Sequence, residues 1–343
     1  MTGHVAHAEI IDSPPARGVD WRALLDAQKP VILRGLVRDW PIVAAGEDSP
    51  AAAMRLLEAH GSGQPVTCYT APPEVGGRFF YNDAMTGMNF TAGRARLGDV
   101  LGAIEATLDD DAAPAQYIGS TDVDTYFPGF RDGHDLALAD AMFVANPPLV
   151  SLWIGNRTTA ATHFDYSNNI ACNLVGRRRF TLFPPDQIGN LYPGPLEPTP
   201  GGQVVSLVDP NNPDFDLFPR YRNALATAVV ADLAPGDALF YPAMWWHQVE
   251  ALARFNVMMN YWWNTSPAWL DSPMTTVLHG LLSLRDRPNP EKRAWRAVLE
   301  HYLFAPPMQA ADHIPERARG PLAPIDELKA RRLRRQLLDR LNR

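Results

Sequence analysis

The chain has 343 residues, 46% of them hydrophobic, enough for a sizeable core built as one large domain with an extension or as two small domains. A formal net charge of −7 argues against a dedicated nucleic-acid binder, which carries a basic excess. No run approaches the roughly 18 apolar residues of a membrane span, and MTGHVAHAEI lacks the basic-then-apolar order of a secretory leader, so a cytoplasmic protein is expected.

Residues 1–20 show no period and read as an arm lying across the surface. In DWRALLDAQKPVILRGLVRDWP a short helix precedes a strand, VILRGL, that opens after Lys29-Pro30 and ends near Gly35. SPAAAMRLLEAH reads as a helix, with Ser49 as N-cap, Pro50 in the first turn and Gly61 as the stop. QPVTCYTAP and GRFFYND look like strands, ARLGDVLGAIEATL like a helix, and AQYIGS like a strand after the acidic loop DDDAAP. Only two cysteines occur, Cys68 and Cys172, which predicts a reducing compartment and no disulfide framework.

From Pro148 to Trp263 strand signals come at short intervals: LVSLWIGN, THFDYS, NIACNLV, RRFTLFP, QVVSLVD, ATAVVADL, DALFYP, HQVEAL and FNVMMNYWW. Short strands with turns between them predict an antiparallel sandwich or barrel, not βαβ units. Gly236-Asp237 is a hairpin-type turn signal just before the run that delivers His247. Beyond Trp263 the pattern turns helical, ending in a basic amphipathic stretch that carries Leu328, Leu333, Leu337 and Leu341. Three segments follow: an N-terminal α+β part (1–147), a β core (148–265) and a C-terminal helical region (266–343).

The chemistry concentrates in THFDYSNNIACNLVGRRRFTLFPP. His163 and Asp165 stand two apart in a strand-like run, so both project to one face. His247 follows in a second strand-like run. Two imidazoles and one carboxylate, with half the coordination sphere open, make the facial triad of non-haem Fe(II) oxygenases. Open positions of this kind suit a bidentate cosubstrate and O₂. An anionic cosubstrate such as 2-oxoglutarate needs a cation, and alternation in GRRRFTLF puts Arg178 on one face with Phe180 and Leu182. The competing reading makes Arg177, Arg178 and Arg179 a solvated hairpin edge.

HFDYSNN, GRRRFTLFPPDQIGNLYPGP, NNPDFDLFPR, APGDALFYPAMWWHQVEAL and NYWW, with KPVILRGLVRDWP upstream, span most of residues 25–265 in a compatible order. On these stretches the sequence resembles the cupin-like branch of the JmjC oxygenases, nearest in pattern to the asparaginyl hydroxylase that inhibits hypoxia-inducible factor. The resemblance implies a mainly β fold, a double-stranded β-helix of the jelly-roll or cupin type, flanked by N-terminal helices and a C-terminal helical region. It implies Fe(II) on His163, Asp165 and His247, with 2-oxoglutarate beside them. It matches Arg178 to the lysine that pairs with the distal carboxylate of the cosubstrate. Asn169 and Asn260 match the asparagines near the chelating end, and Tyr117 matches a tyrosine that helps hold the distal carboxylate. It puts Trp262 beside the substrate entrance, and it implies homodimerisation through the C-terminal helices. Tyr241 and Trp245 are expected with Trp262 in the pocket wall, against the alternative that these rings are core.

Two departures stand out. A family threonine that touches the distal carboxylate aligns with Ala160, with Thr158, Thr159 and Thr162 as candidates to compensate. The polar residues that grip substrate in the hydroxylase fall near Val204 and Val205, so asparaginyl specificity is not carried over. The expected activity is an Fe(II)/2-oxoglutarate-dependent hydroxylation of a protein, peptide or small molecule. The alternatives are a cupin enzyme that uses a metal without 2-oxoglutarate, and a non-catalytic cupin-like binding protein.

Overall fold

The computed structural model describes residues 5–12, 14, 18–306 and 308–342. Residues 1–4, 13 and 15–17 of the expected arm lie outside that description. The chain divides into two compact units, Met1–Thr265 and Ser266–Arg343.

Unit one is built on strands β1 (Ala6–His7), β2 (Glu9–Asp12), β3 (Val31–Arg34), β4 (Val66–Ala71), β5 (Arg78–Phe79), β6 (Thr91–Ala95) and β7 (Ala115–Asp122). These are followed by β8 (Leu149–Gly155), β9 (Thr159–Phe164), β10 (Asn168–Val175), β11 (Arg178–Phe183), β12 (Val229–Leu233), β13 (Ala238–Tyr241), β14 (Trp246–Ala251) and β15 (Asn256–Trp263). One sheet has the order β1-β12-β11-β14-β9-β5, the other β2-β3-β13-β10-β15-β8-β7-β4-β6. Successive strands from β8 to β15 divide four and four between the two sheets, which is the β-rich jelly-roll core expected from the sequence. Strands β4, β6 and β7, which precede residue 148, extend the larger sheet.

Strand β10 shows why the sheets face each other. Every one of its eight residues is buried. Ile170, Cys172 and Leu174 pack outward into the larger apolar core, while Ala171 joins Phe180, Leu182, Leu239 and Tyr241 inside the barrel. The outer layer is made by helices α1 (Trp21–Ala27), α2 (Pro41–Asp48), α3 (Pro50–His60) and α4 (Leu97–Ala106). Ser49 caps α3 by accepting the Ala52 N–H at 3.1 Å, and Ala53, Met54 and Leu57 form its buried face. Gly46 in α2 lets the helix approach β10, since a Cβ there would sit 2.7 Å from Val175 Cγ2. Short helices α5 (Val123–Tyr126) and α6 (Ala141–Ala145) link β7 to β8. The segment after β11, with helix α7 (Tyr221–Ala226), covers the smaller sheet through Leu191, Val208 and Tyr221 on Phe164, Phe183 and Trp246.

Three local expectations change. QVVSLVD forms no strand: Val205 and Ser206 make isolated bridges to His163 and Pro193. GRFFYND keeps only the two-residue β5. Gly236-Asp237 is no hairpin, because β12 and β13 belong to different sheets. The Asp237 carboxylate instead accepts N–H groups of Gly35 (2.9 Å) and Ala234 (2.8 Å) and binds Arg34, pinning a corner between sheets.

Unit two contains α8 (Pro273–Ser283), α9 (Asn289–Leu299) with a widened turn over Glu300–Phe304, and α10 (Glu327–Leu341). Asp326 caps α10 by accepting the Lys329 N–H at 2.8 Å. Among its described residues only Ala310 and Ala311 are buried, while Leu282 is 77% and Phe304 73% exposed. No helix of the described chain is long and apolar enough to cross a membrane.

Candidate metal centre

Strands β9 and β14 pair in register at His163 and His247, and Asp165 follows directly after β9. One ligand-type atom from each of His163, Asp165 and His247 lies within 4.8 Å of the others. His163 Nδ1 sits 2.7 Å from the Ala161 carbonyl, and His247 Nδ1 sits 2.9 Å from the Trp245 carbonyl. A carbonyl only accepts, so each Nδ1 carries the proton and each Nε2 turns a lone pair to the centre. Burial, with the neighbouring His163 second, pushes the His247 imidazole down to about 4, while Asp165 and the Trp245 carbonyl pull the other way. Two imidazoles with anchored Nδ1 beside a carboxylate are the donor set of a divalent transition metal.

Asp165 is held by a relay. Trp153 Nε1–H donates to Asn260 Oδ1 at 2.6 Å, Asn260 Nδ2 to Asn169 Oδ1 at 3.2 Å, and Asn169 Nδ2 to Asp165 Oδ2 at 3.1 Å. The Asp165 carbonyl accepts from Met244 N–H at 2.8 Å, and Met244 adopts a left-handed φ of 68° to make that bond.

Arg178 lies on the same interior face. Leu182 pairs with His247 across β11 and β14, and Arg178 pairs with Ala251 four residues along. Arg177 and Arg179 are exposed and Arg178 is buried, so the solvated-edge reading fails for the middle arginine. Its Nε–H donates to Asn173 Oδ1 at 3.3 Å, and no carboxylate among the described residues pairs with its guanidinium. Burial pushes it down to about 10, with nearby Tyr117 acting in the opposite sense. Tyr117 itself is pushed well above the usual phenol range by burial, which the Arg178 charge partly offsets. A buried cation facing a neutral amide and a phenol is incomplete without an anion.

A cavity of about 410 Å³ borders the three ligand-type groups. Tyr117, Tyr241, Asn260 and Trp262 line it; Arg178, Asn169 and Trp245 do not. Asn169 is buried behind the wall, reaching the site through Asp165. Trp245 packs into the barrel core with Phe180 and Tyr241. Ala160 lines the cavity together with Thr158, whereas Thr159 pairs across to Glu250 and Thr162 is buried with its hydroxyl unpartnered. Val205 lines the cavity and Val204 belongs to the core beneath the cover segment.

Sequence reasoning missed most of the wall. Tyr69, Phe90, Phe79, Tyr117, Trp153 and Trp262 form an unbroken series of ring contacts with centroids 5.2–5.8 Å apart. These rings come from elements far apart in the chain, and strand alternation alone does not bring them together. The signal that was available is Trp153 itself, a large ring at an alternate position of LVSLWIGN. Gln203 and the preceding TPGG turn complete the lining.

Comparison with known proteins agrees with this architecture. The family description "Cupin-like domain" matches residues 17–268. HSPB1-associated protein 1 of Homo sapiens is 35% identical over 151 residues, taking in 42% of this chain and 30% of that protein. Lysine-specific demethylase 8 of Xenopus tropicalis is 25% identical over 242 residues, 69% of this chain and 48% of its own. tRNA wybutosine-synthesizing protein 5 of Danio rerio is 30% identical over 128 residues, 37% of this chain and 34% of its own. In each case the match spans less than half the length of the relative.

Proposed function

The chain belongs to the cupin-like domain family, and from that premise we propose that it is an Fe(II)- and 2-oxoglutarate-dependent dioxygenase that hydroxylates a protein, peptide or small molecule. The observation that carries the reading is Arg178, a buried cation without a carboxylate partner on the interior face that also holds His247. The lysine-specific demethylase among the similar proteins supports the same chemical class.

In this reading His163, Asp165 and His247 hold Fe(II), and Arg178 pairs with the far carboxylate of 2-oxoglutarate. Together the two groups, when bound, supply oxidation of a C–H bond by O₂, coupled to decarboxylation of 2-oxoglutarate to succinate. The protein's own part is placement. Nδ1–H bonds to Ala161 and Trp245 hold both imidazoles in the metal-binding tautomer. Tyr117 keeps its phenol proton and offers it as a donor beside Arg178. Thr158 is the cavity hydroxyl nearest in sequence to Ala160, where the asparaginyl-hydroxylase pattern has threonine. The aromatic wall sheds water from the site and favours a substrate group with apolar or π-bearing surface.

The C-terminal unit is assigned to homodimerisation. Its helices bury almost nothing within their own unit, and exposed Leu282, Leu303 and Phe304 give a second copy an apolar surface to cover. Two free, buried cysteines support a reducing, cytoplasmic setting.

The test is succinate formation from 2-oxoglutarate by anaerobically prepared protein given Fe(II), ascorbate and air. Wild type should form succinate and Asp165→Ala should not. The missing threonine at position 160 favours a second reading, metal chemistry without 2-oxoglutarate. O₂ uptake with no succinate would select it.

A further inference from the structure

The relay that ends on Asp165 has a direction, and its two ends agree on it. An indole N–H can only donate, and an ionised carboxylate can only accept. The two amides between them can each be read either way round when taken alone. With Trp153 donating to Asn260 Oδ1 at 2.6 Å, the Asn260 amide must turn its Nδ2 to Asn169, 3.2 Å away. Asn169 then accepts through Oδ1 and presents its own Nδ2 to Asp165 Oδ2 at 3.1 Å. Asn169 and Asn260 are 0% and 2% exposed, so water has little access to substitute for a lost partner.

The relay crosses the larger sheet: Trp153 is on β8, Asn260 on β15 and Asn169 on β10. These strands are neighbours in that order, which spaces the three polar groups one strand apart. The Trp153 ring is itself fixed, stacked on Tyr117 at 5.7 Å and edge-on to Trp262 at 5.6 Å. Trp262 stands in the same wall, but its Nε1–H has no hydrogen-bond partner among the described residues. The two tryptophans thus offer similar rings, with only one tied to the carboxylate.

We propose that Trp153 is a positioning residue for the metal carboxylate, its indole N–H anchoring the far end of the Asn260–Asn169 relay that holds Asp165. The inference rests on the metal-site reading above. Trp153→Phe keeps an aromatic ring and removes the donor. The Asn260 carbonyl is then left buried without a partner, the relay loses its anchor at the far end, and the donor to Asp165 is held less firmly.

The experiment is a Co(II) titration of the full chain by calorimetry, with the visible absorption spectrum of the bound ion as a second readout. Trp153→Phe should bind Co(II) about tenfold more weakly, the low end of what loss of an outer hydrogen-bond partner does to a metal site, and should shift the visible bands. Trp262→Phe should match wild type in both. Asn260→Leu cuts the relay one link closer to the carboxylate and should reproduce the band shift, which covers failure of the first variant to fold. Wild-type affinity and spectrum in both relay variants would overturn the proposal. So would equal weakening in Trp262→Phe, since wall packing would then be the cause. Absence of Co(II) binding by wild type itself would remove the metal-site reading and this inference with it.

Discussion

His247 Nε2 lies 3.6 Å from Asp165 Oδ2, with the His163 ring centroid 4.4 Å from that of His247. The separation exceeds an N–H···O bond and burial favours the neutral His247 imidazole, so the three groups face one another without satisfying one another. A divalent ion held there would resolve this, and its binding free energy would add to folding free energy. An ion at about 100 times its Kd stabilises by about 2.7 kcal/mol. Thermal unfolding with and without Fe(II) under anaerobic conditions should show that rise in wild type, and Asp165→Ala should lose it.

Arg178 predicts opposite signs for stability and binding. Arg178→Met replaces a buried cation that lacks a carboxylate partner with an apolar side chain of similar length. Unfolding in urea should show the variant more stable by about 1–3 kcal/mol in the absence of cosubstrate. Calorimetry on the metal-loaded protein should show a loss of about 2–5 kcal/mol in 2-oxoglutarate binding. A variant that is less stable and binds normally would remove Arg178 from the cosubstrate site.

His134 provides a pH dependence outside the metal centre. It is 3% exposed, its Nδ1 donates to the Phe130 carbonyl at 2.7 Å, and its Nε2 accepts the Ile42 N–H at 3.0 Å. Burial lowers its pKa, and protonation would abolish the Ile42 bond. The unfolded chain therefore takes up this proton first as pH falls. The contribution of His134 is complete above about pH 6.5 and declines below it, by up to about 1.4 kcal/mol per pH unit, until the lowered folded value is reached. Urea midpoints between pH 7.5 and 5 should fall less steeply for His134→Leu than for wild type.

The C-terminal unit predicts a mass. Sedimentation of the 37.9 kDa chain should give the dimer, and Leu282→Asp with Phe304→Asp should give the monomer with its far-ultraviolet dichroism unchanged. A wild-type monomer would withdraw the dimer assignment.

Much of the centre could be read from the sequence because strand alternation is a two-residue rule. His163 with Asp165, and Arg178 with Phe180 and Leu182, needed nothing more than that period. Pairing His163 with His247 needed register, which depends on turns the sequence marks only loosely. Gly236-Asp237 shows the difficulty, since its turn leads to another sheet once Arg34 and Gly35 engage Asp237. Helix α2 went unrecognised because Gly46 weakens its helical signal, and the need for that glycine is visible only against Val175. QVVSLVD has strand composition, yet its residues are used to roof the smaller sheet. The aromatic wall was hidden for a related reason, being assembled from β4, β5, β7, β8, β15 and the Phe90 loop.

The chain's first described strands have a consequence for how the molecule keeps to itself. β1 lies parallel to β12 at the rim of one sheet, and β2, one residue later, lies parallel to β3 at the rim of the other. A single seven-residue stretch thus occupies an open border on both sheets, blocking the backbone groups through which neighbouring molecules would dock strand to strand. β1 reaches a partner far along the chain, whereas β2 reaches one close by in sequence. A form shortened by a dozen residues would leave the outer edges of β12 and β3 uncovered at the same time.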